Sequence, residues 1–257
     1  MKKNLIVLPV LMLFLISTAY CQIPGDTEVW EPEPKVVKPE NISIEKPDDA
    51  ITLFDGTSFG EWESLNGGEV EWTLSGDHMT VNPGTGGIKT KRNFKDIQLH
   101  IEWRAPTEID GEGQGRGNSG IFLQNRYEVQ VLDNWHNRTY SNGMAGSIYK
   151  QHIPLANPAK RPGEWQTYDI FFKAPIFDDN GNVEEPARVT VILNGVLVQN
   201  NVEIFGPTRY IGEPEYEAHG PDGIQLQDHT DLVSYRNIWI RELDQEIIHS
   251  DGIYGNH

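Results

Sequence analysis

The chain has 257 residues, with 21 Lys+Arg against 38 Asp+Glu, and its formal charge of −17 excludes the basic surface that a nucleic-acid partner needs. Hydrophobic residues make up 37%, beside 25 glycines and 16 prolines, a balance that excludes wholesale disorder and suits a turn-rich globular core. The acidic excess favours neutral or cationic ligands.

Residues 1–21 read as a secretory signal peptide: Lys2 and Lys3, an apolar run from Leu5 to Ile16, then Ser17, Thr18 and Ala19 before Tyr20 and Cys21. The run contains Pro9 and falls short of the ~20 apolar residues that span a bilayer, so no transmembrane segment is expected in the mature chain. Bulky Tyr20 directly before Cys21 favours cleavage after Cys21 over a lipid anchor on it. The expected location is therefore periplasmic or secreted. Cys21 is the only cysteine in the sequence, which leaves the folded domain without a disulfide, a thiolate nucleophile or a cysteine-based zinc site.

Residues 22–50 hold Pro24, Pro32, Pro34, Pro39 and Pro47 among acids, and read as an extended Pro-rich leader. The folded domain is expected over 51–243, followed by a tail over 244–257. Within it, strand-length apolar runs recur between turn signals: Glu69–Leu74, Ile97–Trp103, Gly120–Leu123, Tyr127–Leu132, Gln166–Phe172, Arg188–Leu193, Gly223–Gln227 and Tyr235–Arg241. Leu99, Ile101 and Trp103 alternate with His100, Glu102 and Arg104, which buries one face and wets the other. Asn194-Gly195 between Leu193 and Val196 is a type I′ hairpin signal, because both residues accept positive φ. No helical period of useful length is present. The pattern predicts an all-β fold, a two-sheet antiparallel sandwich or jelly roll.

Three stretches carry polar groups where chemistry is possible. Period-2 alternation places Val129 and Val131 on one face of a strand and Glu128 and Gln130 on the other. Asp133 would point toward the core unless a bulge near Val131-Leu132 returned it to the polar face; the alternative is an edge strand ending in a turn begun by Asp133. Ile224 and Leu226 point inward while Gln225, Gln227 and His229 share the outer row. Amides, an imidazole and a carboxylate on adjacent strands suit a sugar groove, where many hydroxyls need paired donors and acceptors. The loop Asp110–Gly120, with five glycines, reads as a rim loop that brings Asn118 near a ligand; a calcium loop on Asp110, Glu112 and Asn118 is the alternative. A mixed site of one histidine with Glu128 or Asp133 keeps a divalent cation such as calcium open, with Glu128, Asp133 and His229 as its ligands. Trp62, Trp72, Trp103, Trp165 and Trp239 sit in strand-like runs and read as core, whereas Trp135, in a polar loop, reads as a stacking residue.

Leu53-Phe54-Asp55-Gly56-Thr57, Asn118-Ser119-Gly120-Ile121, Tyr127 through Asp133, Gly163-Glu164-Trp165, Leu193-Asn194-Gly195 and Gly223 through His229 followed by Arg236-Asn237-Ile238 resemble the 3-keto-disaccharide hydrolase domain family, from about residue 50 to 243. The resemblance implies a concanavalin A-like, laminarinase-like jelly roll with a concave carbohydrate groove. It also implies cleavage of glycosides already oxidised at C3, by hydrolysis or by elimination and hydration. The strand from Glu128 to Asp133 is similar to the catalytic strand of laminarinase-like hydrolases, except that the middle carboxylate is Gln130 and the last is the shorter Asp133. Ordinary retention needs two carboxyls about 5–5.5 Å apart, so both departures weigh against it. A C3 ketone acidifies C2–H, and one base with one electrophile then suffices. Glu128 or His229 is the expected base, Lys150, Arg104 or Gln227 the expected donor to the enolate oxygen, and Asp133 the acid or a metal ligand. The alternative function is a non-catalytic carbohydrate-binding module or lectin of the same fold.

Overall fold

A computed structural model describes residues 23–37 and 46–243; the expected signal peptide and C-terminal tail lie outside the described residues. Among these, fifteen strands follow in order: β1 (Ile51–Phe54), β2 (Trp62–Ser64), β3 (Thr73–Ser75), β4 (His78–Thr80), β5 (Ile88–Thr90), β6 (Ile97–Arg104), β7 (Ser119–Leu123), β8 (Tyr127–Val131), β9 (Gln166–Lys173), β10 (Ile176–Phe177), β11 (Val183–Glu185), β12 (Arg188–Leu193), β13 (Val196–Glu203), β14 (Gln225–Leu226) and β15 (Ser234–Glu242). They form an eight-stranded sheet, β13-β12-β9-β6-β15-β4-β3 with β1 also on β15, and a five-stranded sheet, β2-β5-β14-β7-β8; β10 and β11 make a separate pair. Every pairing between these strands is antiparallel.

Alternation builds the core between the two sheets. Ile97, Leu99, Ile101 and Trp103 of β6, Tyr168, Ile170 and Phe172 of β9 and Val189, Val191 and Leu193 of β12 meet Ile121, Leu123, Tyr127, Val129, Val131 and Leu226 of the small sheet, all of them buried. Asn194 and Gly195 adopt φ of 52° and 78°, and Leu193 pairs with Val196, so the hairpin closes as the sequence predicts. Glu69–Trp72 is not a strand: Gly67 and Gly68, at φ of 79° and 84°, turn the chain there, and the strand is confined to Thr73–Ser75. Trp165 also departs from the core reading. It is half-buried on the outer face of the large sheet, between the Arg104 and Arg236 guanidinium carbons at 4.5 and 4.2 Å from its ring centre.

Candidate functional site

Register across the small sheet decides which outward side chains meet. Opposite Glu128 of β8 lies Phe122 of β7, and opposite Phe122 lies Gln225 of β14. The benzyl group thus separates Gln225 from Glu128. In the neighbouring row Gln130 lies opposite Gly120, whose carbonyl accepts the Gln227 N–H at 3.0 Å on the far side. Having no side chain, Gly120 leaves a hollow flanked by Gln130 and Gln227. The Glu128 carboxylate lies over that hollow: a Cβ on Gly120 would stand 2.5 Å from Glu128 Oε1.

The Glu128 carboxylate fills that space and borders a cleft of about 620 Å³, lined also by Asn118, Gln130, Gln227 and His229 and walled by Tyr140, Tyr149, Thr208 and Tyr210. Glu128 is 5% exposed, and no protein group among the described residues donates a hydrogen bond to its carboxylate. Burial pushes that carboxyl up to about 8 from an ordinary 4.5. Around it the amides are held in place. Gln130 Nε2 donates to Gln114 Oε1 and to Asn118 Oδ1, both at 3.2 Å, while Gln114 Nε2 donates to Thr139 Oγ1 and the Gly143 carbonyl, each at 2.9 Å. Among the described residues no donor reaches the buried Oε1 atoms of Gln130 and Gln227, two acceptors left for a ligand.

One wall depends on how the edge of β8 is covered. Gln130 N–H donates to the Ser147 carbonyl, and Tyr149 N–H donates to the Glu128 carbonyl, so residues 147–149 run along that edge and carry Tyr149 to the cleft. The Tyr149 and Tyr140 hydroxyls are 2.6 Å apart and share one hydrogen bond. Two O–H groups have two protons and this contact uses one, so the other is available to a bound molecule. Burial pushes the Tyr149 phenol up to about 12, which keeps it protonated at neutral pH.

Five of the residues singled out from the sequence are placed elsewhere. Asp133 does not line the cleft: β8 ends at Val131, and past that end the chain carries Asp133 to Arg116. Its carboxylate accepts from Arg116 Nε at 2.7 Å and from the Trp135 N–H at 2.9 Å in a buried ion pair. With Asp133 tied up there, Glu128, Asp133 and His229 do not converge as a cation site, and among the described residues no group of three His, Cys, Asp or Glu is arranged to hold a metal ion. Arg104 faces outward as alternation predicts, but on the large sheet, over Trp165. Lys150 Nζ donates to the Pro24 and Tyr210 carbonyls at 2.8 and 2.9 Å, joining backbone segments rather than facing the cleft. Trp135 sits against His136 and the Arg161 guanidinium, outside the cleft lining, and Gln225 is cut off by Phe122. His229 is exposed at the cleft rim.

Sequence reasoning missed Gln114, Phe122, Tyr140, Tyr149, Thr208 and Tyr210 in the lining, and also Glu28 and Trp30 of the Pro-rich leader. A spacing signal existed only for Phe122, two residues from Gly120 and so on the same face.

A family model described as the 3-keto-alpha-glucoside-1,2-lyase-like domain matches residues 49–241. The chain belongs to this family. It is 27% identical over 254 residues to the 3-keto-disaccharide hydrolase of Bacteroides thetaiotaomicron, covering 80% of this chain and 83% of that protein. A solved chain from Parabacteroides distasonis, assigned as a glycosyl hydrolase, is 51% identical with a TM-score of 0.77, over 85% of this chain and 96% of its own. A second solved chain of that organism, similarly assigned, is 20% identical with a TM-score of 0.57, over 79% of this chain and 99% of its own; it shows the shared fold. Taken with the cleft, these relatives support a function of glycoside-hydrolase type for this family member.

Proposed function

We propose that the protein cleaves glycosides that carry a ketone at C3, with Glu128 as the base that removes the C2 proton. The observation that carries this reading is the Glu128 carboxylate itself: buried, without a protein hydrogen-bond donor among the described residues, its pKa pushed up to about 8 by burial, and packed over Gly120 between two glutamines. A desolvated carboxylate near 8 is a much stronger base than an ordinary one.

Glu128 takes the C2 proton, and the C2–H electrons enter a C2=C3 enolate whose oxygen bears the charge. Donors for that oxygen are the Gln227 amide N–H groups and the tyrosine proton left over from the Tyr140–Tyr149 pair. As the ketone re-forms, a C1=C2 double bond forms, the C1–O bond breaks, and the leaving oxygen recovers a proton from Glu128. Water added across C1=C2 returns a 3-keto sugar, so the net change is hydrolysis. Unlike retention through a covalent intermediate, this route needs no second carboxylate.

A binding module would use the same amides, but it has no need of a desolvated carboxylate. Incubation of the purified protein with 3-keto-trehalose in D₂O tests the reading: deuterium at C2 or a 2-hydroxyglycal intermediate is expected, and cleavage with neither would refute proton removal. Export, read from residues 1–21, goes with this proposal and is tested by the N-terminus of the protein recovered from its host.

A further inference from the structure

The family domain begins at residue 49, yet Glu28 and Trp30, which line the cleft, come from the chain before it. Its described stretch over residues 23–37 is pinned at several points. Val29 N–H donates to Asn142 Oδ1 at 3.0 Å, Asn142 Nδ2 donates back to the Thr27 carbonyl at 3.0 Å, and Ser141 donates through N–H to the Val29 carbonyl and through Oγ to the Trp30 carbonyl. Further on, Val37 N–H and the Lys35 carbonyl pair with Asn157 at 3.0 and 2.9 Å. At its start, Lys150 ties the Pro24 carbonyl to that of Tyr210. Such a strap has a fixed backbone, which sets where its side chains start beside the cleft.

Against that rigidity, Trp30 is left 46% exposed, touching Tyr140 edge to face with 6.1 Å between ring centres. Leaving much of an indole in water sacrifices hydrophobic stabilisation, and an indole beside a polar cleft is a surface on which the C–H face of a sugar ring stacks. Glu28 is half-buried, and among the described residues no donor hydrogen-bonds its carboxylate, which can therefore accept from a pair of hydroxyls. Position decides which sugar ring they serve. Trp30 packs on Tyr140, Tyr140 bonds to Tyr149, and Tyr149 follows the edge of β8 at Glu128. Two aromatic residues thus lie between Trp30 and Glu128, so the ring stacked on Trp30 is not the one whose C2 meets the base. A cleft of about 620 Å³ has room for both rings.

We propose that Trp30 and Glu28 form the subsite for the second ring, the leaving group, of a two-ring saccharide, and that the strap ahead of the family domain sets this selectivity. The proposal rests on the carbohydrate-cleaving reading above. In the full chain, kcat/KM is compared for 3-keto-trehalose and methyl 3-keto-α-glucoside, which share the reacting ring and differ in the leaving group. Trp30→Ala is expected to lower the disaccharide-to-methyl selectivity ratio at least tenfold, mainly through KM, Glu28→Gln to lower it less, and Trp30→Phe to restore most of it. A ratio within twofold of wild type in Trp30→Ala overturns the subsite. Should neither substrate be cleaved, the catalytic reading fails by itself and the subsite is judged by calorimetric titration. Wild type should then bind trehalose more tightly than glucose, and Trp30→Ala should lose that preference. Equal affinities in wild type overturn the proposal.

Discussion

Replacing Glu128 with Gln should make the protein more stable while removing its turnover. Burial holds the carboxyl at about 8 in the fold against an ordinary 4.5. Below about pH 4.5 the group is protonated folded and unfolded, and contributes no difference. Between 4.5 and 8 the fold keeps a proton that the unfolded chain has released, so stability falls as pH rises; above 8 both forms are ionised and the loss is complete. At about 1.4 kcal/mol per pH unit, the interval from 4.5 to 7 amounts to about 3 kcal/mol at pH 7, a large part of the 5–15 kcal/mol typical of a domain. A glutamine has nearly the same shape, carries no charge at any of these pH values, and can turn its amide hydrogens to the open side of the cleft. Urea unfolding of both proteins at pH 4.5, 7 and 8.5 should give a gap near zero, then about 3 kcal/mol, then larger, with the melting point at pH 7 raised by roughly 6–12 °C. A gap independent of pH would show that the carboxyl is not desolvated, and the argument for its basicity would fall with it.

As base, Glu128 must be ionised in the free enzyme, so kcat/KM should rise with pH through about 8 and then level; a profile that falls over this range makes it an acid instead. Gly120→Ala would place a Cβ 2.5 Å from Glu128 Oε1 and 2.9 Å from the Phe122 ring, so the carboxylate must move. The expected result is a fall in kcat of about 10²-fold with a stability cost of about 1–3 kcal/mol, and wild-type turnover would refute the placement. Asp133→Ala strands the buried Arg116 guanidinium and should cost about 3–5 kcal/mol in urea unfolding, less when Arg116→Leu is added. A fully stable Asp133→Ala protein without turnover would return Asp133 to the chemistry.

Alternation in Tyr127–Val131 was enough to read Glu128 and Gln130 as outward and Val129 and Val131 as core, because a two-residue period follows from strand geometry alone. It could not say which outer face an outward residue occupies. Arg104 alternates just as clearly, but β6 belongs to the other sheet, and the side chain ends at Trp165. Nor does alternation give the cross-sheet neighbour. That β14 lies beside β7, so that Gln227 meets Gly120 while Phe122 screens Gln225, comes from pairing residues about a hundred positions apart. Gly120 is legible as the end of a glycine-rich loop and the start of a strand; that its missing side chain makes room for the Glu128 carboxylate needs the register. Asp133 turned on the path of the chain just past Val131, where β8 ends and the side chain meets Arg116 and not the cleft. The leader's prolines describe an extended chain, but its place against the cleft is set by Ser141, Asn142 and Asn157, whose role as anchors has no local signature.

One desolvated carboxylate ties these features into a single chemical argument. A retaining glycosidase needs a nucleophile and an acid close together, yet two positions along β8 from Glu128 stands Gln130, and Asp133 is neutralised by Arg116. Glu28, the other carboxylate at the cleft among the described residues, belongs to the strap beyond Tyr149 and Tyr140. Such a cleft is poorly equipped to expel an alkoxide from an unactivated sugar. Removing a proton next to a ketone asks for less: one strong base, a donor to the oxygen that takes up charge, and a dry floor that keeps the base strong. In the proposed reaction Glu128 meets the first need, Gln227 with the Tyr140–Tyr149 pair the second, and the burial of Glu128 the third. A carboxylate in place of Gln130 would place a like charge beside Glu128, raise its pKa beyond about 8 and leave a still smaller ionised fraction to act as base.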